Sequence, residues 1–413
     1  MMNNITAFFK SERNYILSCY CMVFLLPSFP FLSSFSLIVF FVFSLSHLKQ
    51  HNNNKHLKSM GVFLILFLMY VVSLFFSPYT ERALELIFRI APTFIFPLLI
   101  YYSKLHHKIN YSLLKNYFLL GVIVSCLVSL LASLIISFLE KDYQYLFYYN
   151  LGKTLHIHPT YYSLFVLTAI HFNLTNQNKL MLKYKPYISS LLFLMVFLLQ
   201  SKTALVVFIG YALFIVIANK FSFRNNKEMY IPLAFIILII ALSSSLNKNR
   251  FNEFFKSSGI AEIGTFQENG IAQRLWLWNE AIEQIKQSPL IGFGIGAQNK
   301  KFKWEVEKKT LNNNFSLAYT KAIKRISLLN LHNQYLQILY DLGIVGLSLF
   351  VFFVIQALFL GFKNKNISFV IVFLYFTTFL WTENLLDRQA GVYFYSVILS
   401  LLYFEDWALN CKK

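Results

Sequence analysis

A histidine and an arginine flank the most polar part of an otherwise apolar chain. His332 lies in Leu331-His332-Asn333-Gln334-Tyr335-Leu336, and Arg274 lies in Gln273-Arg274-Leu275-Trp276. A neutral imidazole accepts a proton from a hydroxyl near pH 7. A guanidinium near a helix start holds a phosphate through paired hydrogen bonds. The plainer alternatives are an interfacial histidine bonded to a backbone group and an arginine snorkelling to lipid headgroups. Lys202, in Gln200-Ser201-Lys202-Thr203, sits between two apolar runs, and Arg89 sits within the run Leu86 to Ile100. Charge inside a membrane segment is costly and marks a candidate site. For Arg89, snorkelling to the near end of its span is the competing reading. Glu383, Asp387 and Arg388 cluster late in the chain, as part of a site or as a solvated salt-bridge group.

His156-Ile157-His158-Pro159-Thr160 brings two histidines close together. No third ligand stands at a metal-site spacing, so contact with a sugar or phosphate through His158 competes with a structural role. Gly292-Phe293-Gly294-Ile295-Gly296-Ala297 formally fits a dinucleotide fingerprint. It lacks the preceding strand and βαβ unit that the fingerprint requires. A tight turn after Ser288-Pro289, bringing backbone close to a ligand or membrane, is the better reading. The chain has no Asp-x-Asp pair and no Gly-x-x-x-x-Gly-Lys loop. If phosphate chemistry occurs, arginine and lysine must stabilise the leaving group directly, and no cofactor is expected.

The elements that position these residues are membrane helices. The chain has 413 residues, 57% hydrophobic and 13% charged, with a mean hydropathy of +0.54; soluble domains carry about 25% charge. Repeated apolar runs near the length a bilayer requires give an all-α integral membrane fold. About twelve transmembrane helices are expected. Nine lie in residues 1–246: Tyr15–Pro27, Pro30–Leu48, Ser59–Ser77, Leu84–Tyr102, Leu113–Leu139, Ile157–Leu174, Tyr187–Gln200, Thr203–Asn219 and Tyr230–Leu246. A large, partly helical polar loop follows over 247–334, with an amphipathic helix at 272–287. On that helix Ile271, Leu275, Trp278, Ile282 and Ile285 share one face, expected to lie in the membrane interface. Residues 335–413 hold three more spans, Tyr335–Phe362, Ile367–Trp381 and Val392–Leu409.

The net charge of +19 comes from Lys and Arg placed mostly between apolar runs, which is an orientation signal and not a nucleic-acid surface. With both termini inside, the inside segments hold about three times the Lys and Arg of the short outside ones. The large loop then lies outside the membrane. The first apolar run lacks a small-residue cleavage site and reads as a retained helix. Four cysteines, none in the large loop, imply no disulfide framework. No internal repeat relates two halves, which counts against a transporter built from paired halves.

Four segments in order carry a family resemblance. They are Gln273-Arg274-Leu275-Trp276, Ser288-Pro289-Leu290-Ile291-Gly292-Phe293-Gly294, His332-Asn333-Gln334-Tyr335-Leu336 and Asp341-Leu342-Gly343-Ile344-Val345-Gly346. Together they resemble the O-antigen ligase/polymerase superfamily. The resemblance implies a metal-independent glycosyltransferase at the periplasmic face of the bacterial inner membrane. Its donor is a glycan on undecaprenyl diphosphate, and its acceptor is lipid A–core, a protein or another glycan. It implies His332 as the base that deprotonates the acceptor hydroxyl and Arg274 as a holder of the diphosphate. Lys202, Arg89, His158, Asn333 and Arg388 are the accompanying substrate-binding candidates. Where the family often has an arginine, this chain has Lys202, which keeps the charge and loses the planar fork. A polymerase joining lipid-linked repeat units is the alternative within the family. A lipid-linked glycan flippase is the alternative from another class.

Overall fold

The computed structural model of the protein describes residues 8–48, 57–218, 270–312 and 330–410. The span expected over Tyr230–Leu246 and much of the large loop lie outside these residues. Every regular element among the described residues is helical. The first six are α1 (Glu12–Leu25), α2 (Pro30–Leu45), α3 (Leu57–Leu74), α4 (Thr80–Ile90), α5 (Pro92–Ser103) and α6 (Tyr111–Glu140). A short α7 (Tyr148–Lys153) precedes α8 (Pro159–Thr175), α9 (Lys179–Leu199) and α10 (Lys202–Ala218). The loop region contributes α11 (Gly270–Ile285) and α12 (Lys303–Asn312). The chain then forms α13 (Gln334–Lys363), α14 (Ile367–Phe379), α15 (Gln389–Tyr393) and α16 (Ser400–Asn410). A π-helical turn, Phe394–Leu399, joins the last two.

Four stretches among the described residues are long and apolar enough to cross a membrane: Thr80–Ser103, Tyr111–Glu140, Leu182–Leu199 and Gln334–Lys363. Pro30–Leu45, Phe63–Leu74, Lys202–Ile215 and Ile367–Phe379 are shorter apolar helices. The expected span Leu84–Tyr102 is two helices, α4 and α5, meeting at Ala91 just before Pro92. Proline fits the first turn of a helix and disfavours helix in the residue before it.

Local chemistry accounts for the ends. Pro30, Pro92 and Pro159 occupy first-turn positions, where a missing N–H costs nothing. Asn110, Asn333 and Asn366 cap α6, α13 and α14 by accepting the N–H three residues on. The helices then pack on small residues. Gly121, Ser125, Ser129 and Ser133 recur every fourth position on α6 and are buried. A Cβ at Gly121 would stand 2.1 Å from the Phe24 carbonyl oxygen, so only glycine allows α1 this close. Ser125 Oγ donates to the Pro27 carbonyl at 2.7 Å. Residues 159–173 of α8 are buried on every side, as expected of a helix at the centre of a bundle. Leu131, Ile135 and Phe138 on α6 and Ile355, Phe359 and Phe362 on α13 are exposed, which suits a lipid-facing surface.

The glycine turn explains how the loop joins the bundle. Gly343 breaks α13, with φ 64° and ψ −167°. The break frees backbone groups, and residues 289–294 take them up. Phe293 N–H donates to the Tyr340 carbonyl at 3.1 Å and Gly294 N–H to the Asp341 carbonyl at 2.8 Å. In return Ile344 N–H donates to the Pro289 carbonyl at 2.8 Å and Val345 N–H to the Leu290 carbonyl at 3.2 Å. The approach leaves no room for side chains: a Cβ at Gly343 would lie 2.3 Å from the Leu290 carbonyl oxygen, and one at Gly292 would lie 2.5 Å from the Asp341 carbonyl carbon. The turn expected to meet a ligand or the membrane instead meets α13, because helix-break groups require partners away from water.

Candidate functional site

The site forms where three separate stretches converge at the end of the bundle at which α13 begins. The first is Asn330 to Gln334. Asn330 Oδ1 accepts the His332 N–H at 3.3 Å, and His332 takes a left-handed φ of 48°. Asn333 then caps α13 through its Oδ1, so that atom of this substrate-binding candidate serves the helix. Leu331 is fully buried in a small cluster with Leu277, Ala281 and Tyr340. The second stretch is α11. Trp278 Nε1–H donates to the Leu331 carbonyl at 2.7 Å, and Tyr340 Oη donates to Gln284 Oε1 at 2.7 Å. The buried side of α11 is therefore Leu277, Ala281, Gln284 and Ile285, while Leu275 and Ile282 are 44% and 46% exposed. Leu275 and Ile282 belong to the apolar face expected at the membrane interface, whereas Ile285, grouped with them, is buried against the protein. Apolar periodicity does not reveal that the polar Gln284 joins Leu277, Ala281 and Ile285 on the side that meets the protein.

The third stretch follows α14. Gln334 fastens it to the start of α13: its N–H donates to the Leu380 carbonyl at 2.8 Å, and its Oε1 accepts the Leu386 N–H at 3.0 Å. Between these two anchors stands Glu383, 4% exposed. It is a buried carboxylate, not a member of a solvated salt-bridge group. Arg274 Nη2 donates to Glu383 Oε1 at 2.9 Å. His332 Nδ1 donates to Glu383 Oε2 at 3.1 Å. One carboxylate thus ties together the two residues singled out for chemistry, 58 positions apart in the chain. Burial pushes the Glu383 carboxyl up, but the His332 hydrogen bond and the charges of His332 and Arg274 outweigh it and hold it below the usual carboxylate range. With Nδ1 turned to the carboxylate, His332 keeps Nε2 for another partner, and the ring is partly open, with 24% of its side chain exposed.

The remaining candidates differ in their links to the segment that holds Glu383. Arg89 Nη1 donates to the Asp387 carbonyl at 2.8 Å, and Arg89 also pairs with Glu85 at 2.6 Å. Arg89 therefore braces the Glu383–Arg388 loop from α4. Lys202 is the exposed first residue of α10, and its neighbour Thr203 shares a 2.7 Å hydroxyl contact with Thr382, the residue before Glu383. Arg388 is exposed. The His158 ring lies within electrostatic range of Glu383, His332, Arg274 and Arg388. Behind Glu383 runs a buried polar chain: Asn384 Nδ2 donates to Gln337 Oε1 at 3.0 Å and to Asp387 Oδ2 at 3.2 Å, and Gln337 Nε2 donates to Asp341 Oδ2 at 2.8 Å. Burial pushes the Asp387 carboxyl above its ordinary value despite Asn384 and the nearby arginines.

A buried carboxylate that orients an imidazole through Nδ1 leaves Nε2 to take a proton and stabilises the imidazolium that results. A guanidinium on the same carboxylate supplies a cation for an anionic leaving group. Sequence reasoning named Glu383 without choosing it as a site residue. Its only signal was a carboxylate directly after an apolar span.

A family model described as O-Antigen ligase matches residues 187–351. That segment contains Lys202, Arg274, the glycine turn, His332 and the break in α13, and it ends before Glu383. No curated protein matches the chain. Over residues 187–351 the chain resembles the O-antigen ligase/polymerase superfamily of integral membrane proteins, and the match supports an activity of that general type.

Proposed function

We propose that the protein transfers a glycan from undecaprenyl diphosphate to an acceptor hydroxyl of lipid A–core or a similar acceptor, at the periplasmic face of the inner membrane. The observation that carries this reading is Glu383 bridging His332 and Arg274. His332 Nε2 takes the acceptor proton as the acceptor oxygen bonds to the sugar's anomeric carbon. The bond from that carbon to the diphosphate breaks, and undecaprenyl diphosphate leaves with the electron pair. Arg274 meets the charge that develops on the leaving group. Glu383 stabilises the imidazolium until its proton is released. A lipid diphosphate is already activated, so a base, cations and alignment are sufficient. The donor, the acceptor and the surrounding lipids are the partners of this reaction, and no metal or cofactor takes part. Both termini face the cytoplasm in this reading.

A deletion strain tests it. Lipid-linked glycan accumulating on the outer face, with unmodified acceptor, supports failed transfer. Donor trapped on the inner face overturns the reading in favour of a flippase. Among transferases, loss of all long glycan on the acceptor identifies ligase action, while a product carrying a single repeat identifies a polymerase.

A further inference from the structure

The proposed chemistry uses no tyrosine, yet a line of rings lies within electrostatic range of the site. Tyr148 and Tyr149 meet edge to face with centroids 4.3 Å apart, Tyr149 and His158 at 4.8 Å, and His158 and Tyr161 at 5.8 Å. The line runs from surface to interior: Tyr149 is 53% exposed and Tyr161 is 7% exposed. The backbone beneath it is constrained. Tyr148 and His156 both hold left-handed φ values, 52° and 55°, which non-glycine residues keep only where packing imposes them. Hydrogen bonds fix the middle ring. His158 Nδ1 accepts the Thr160 N–H at 3.2 Å, so the imidazole is neutral and its proton lies on Nε2. That proton is donated to Tyr149 Oη at 2.6 Å.

We propose that Tyr149, held by His158, is a saccharide subsite on which a pyranose ring of the transferred or accepting glycan stacks beside Glu383 and His332. An aromatic face carries negative charge density that attracts polarised C–H groups, as the apolar face of a sugar presents them. The polar setting favours a sugar over a polyprenyl chain: the charges of Glu383, His332, Arg274 and Arg388 reach the His158 ring, and the Tyr149 hydroxyl bonds to it. A tyrosine of the membrane-interface belt would meet lipid and have no effect on glycan binding. The subsite rests on the transferase reading.

Steady-state transfer by the full-length protein in lipid nanodiscs separates the two ideas, with lipid-linked glycan and acceptor extracted from the source cells and varied independently. Tyr149→Ala is expected to raise KM about ten-fold for one of the two substrates, with kcat changed less than about three-fold. The substrate affected tells whether the stacked sugar belongs to donor or acceptor. Tyr149→Phe keeps the ring and is expected to hold KM within about three-fold of wild type. Unchanged KM for both substrates in Tyr149→Ala, or equal damage from Tyr149→Phe, overturns the subsite. If His332→Ala retains full transfer, the transferase reading fails by itself, whatever Tyr149 does. Saturation-transfer NMR on the wild-type protein, irradiating aromatic protons with the cells' own glycan released by mild acid, tests stacking without a variant. Saturation reaching the sugar-ring protons supports the subsite, and a flat difference spectrum overturns it.

Discussion

Replacing Glu383 with glutamine keeps the shape of the side chain and removes its charge. Two hydrogen bonds depend on that charge, from Arg274 at 2.9 Å and from His332 at 3.1 Å. A bond to a charged group contributes about 1.5–3 kcal/mol. The Arg274 side chain is 32% exposed, so water takes over much of that loss. The bond to His332 matters more to chemistry, because it selects the tautomer with Nε2 open and stabilises the imidazolium. Losing about 1.5–3 kcal/mol from the transition state lowers kcat by about 10- to 150-fold. Donor KM should stay level or fall, since Arg274 no longer shares its charge with a carboxylate. The assay is transfer in nanodiscs with donor concentration varied, at equal folded protein. Unchanged kcat in Glu383→Gln, or a rise in donor KM without a kcat change, would refute the orienting role.

Three further outcomes follow from the same geometry. Gly343→Ala puts a Cβ 2.3 Å from the Leu290 carbonyl oxygen at a φ of 64°, so a loss of about 2–6 kcal/mol of stability is expected, seen as a lower thermal midpoint or loss of folded protein. Trp278→Phe removes the donor to the Leu331 carbonyl; about 1 kcal/mol and a roughly five-fold drop in transfer are expected, and unchanged transfer would show that α11 does not set the position of His332. The pH dependence of stability has a defined sign. Because folding holds the Glu383 carboxyl low, its contribution is present above the unfolded carboxylate value and is lost as pH falls through the folded one. The difference in thermal midpoint between wild type and Glu383→Gln should therefore be full at neutral pH and shrink below about pH 4.

Much of this was legible in the residues themselves. Apolar runs marked most of the described helices within a few residues, but not every proline or asparagine that starts one: the expected span Leu84–Tyr102 ran through Pro92. The glycines at 292, 294 and 296 announced close backbone approach, but not to what. The partner is the break at Gly343, and two segments about fifty residues apart share no local signal. The ordered motifs singled out Arg274 and His332, and those residues do meet. Glu383 between them was hidden because its position depends on tertiary stitching by Gln334 to Leu380 and Leu386, not on any spacing. The cap that Asn333 forms on α13 was not foreseen beside its expected binding role. The protein-facing side of α11 was not legible because a buried glutamine, held by Tyr340, carries part of the contact.

The central claim is that the imidazole of His332 removes the acceptor proton. Its most direct test is glycan transfer by purified His332→Ala in nanodiscs, with extracted lipid-linked donor at saturating concentration. The expected result is a fall in kcat of about 10²- to 10⁴-fold, with donor KM near the wild-type value. Transfer within a few-fold of wild type, from protein of equal amount and folding, would contradict it.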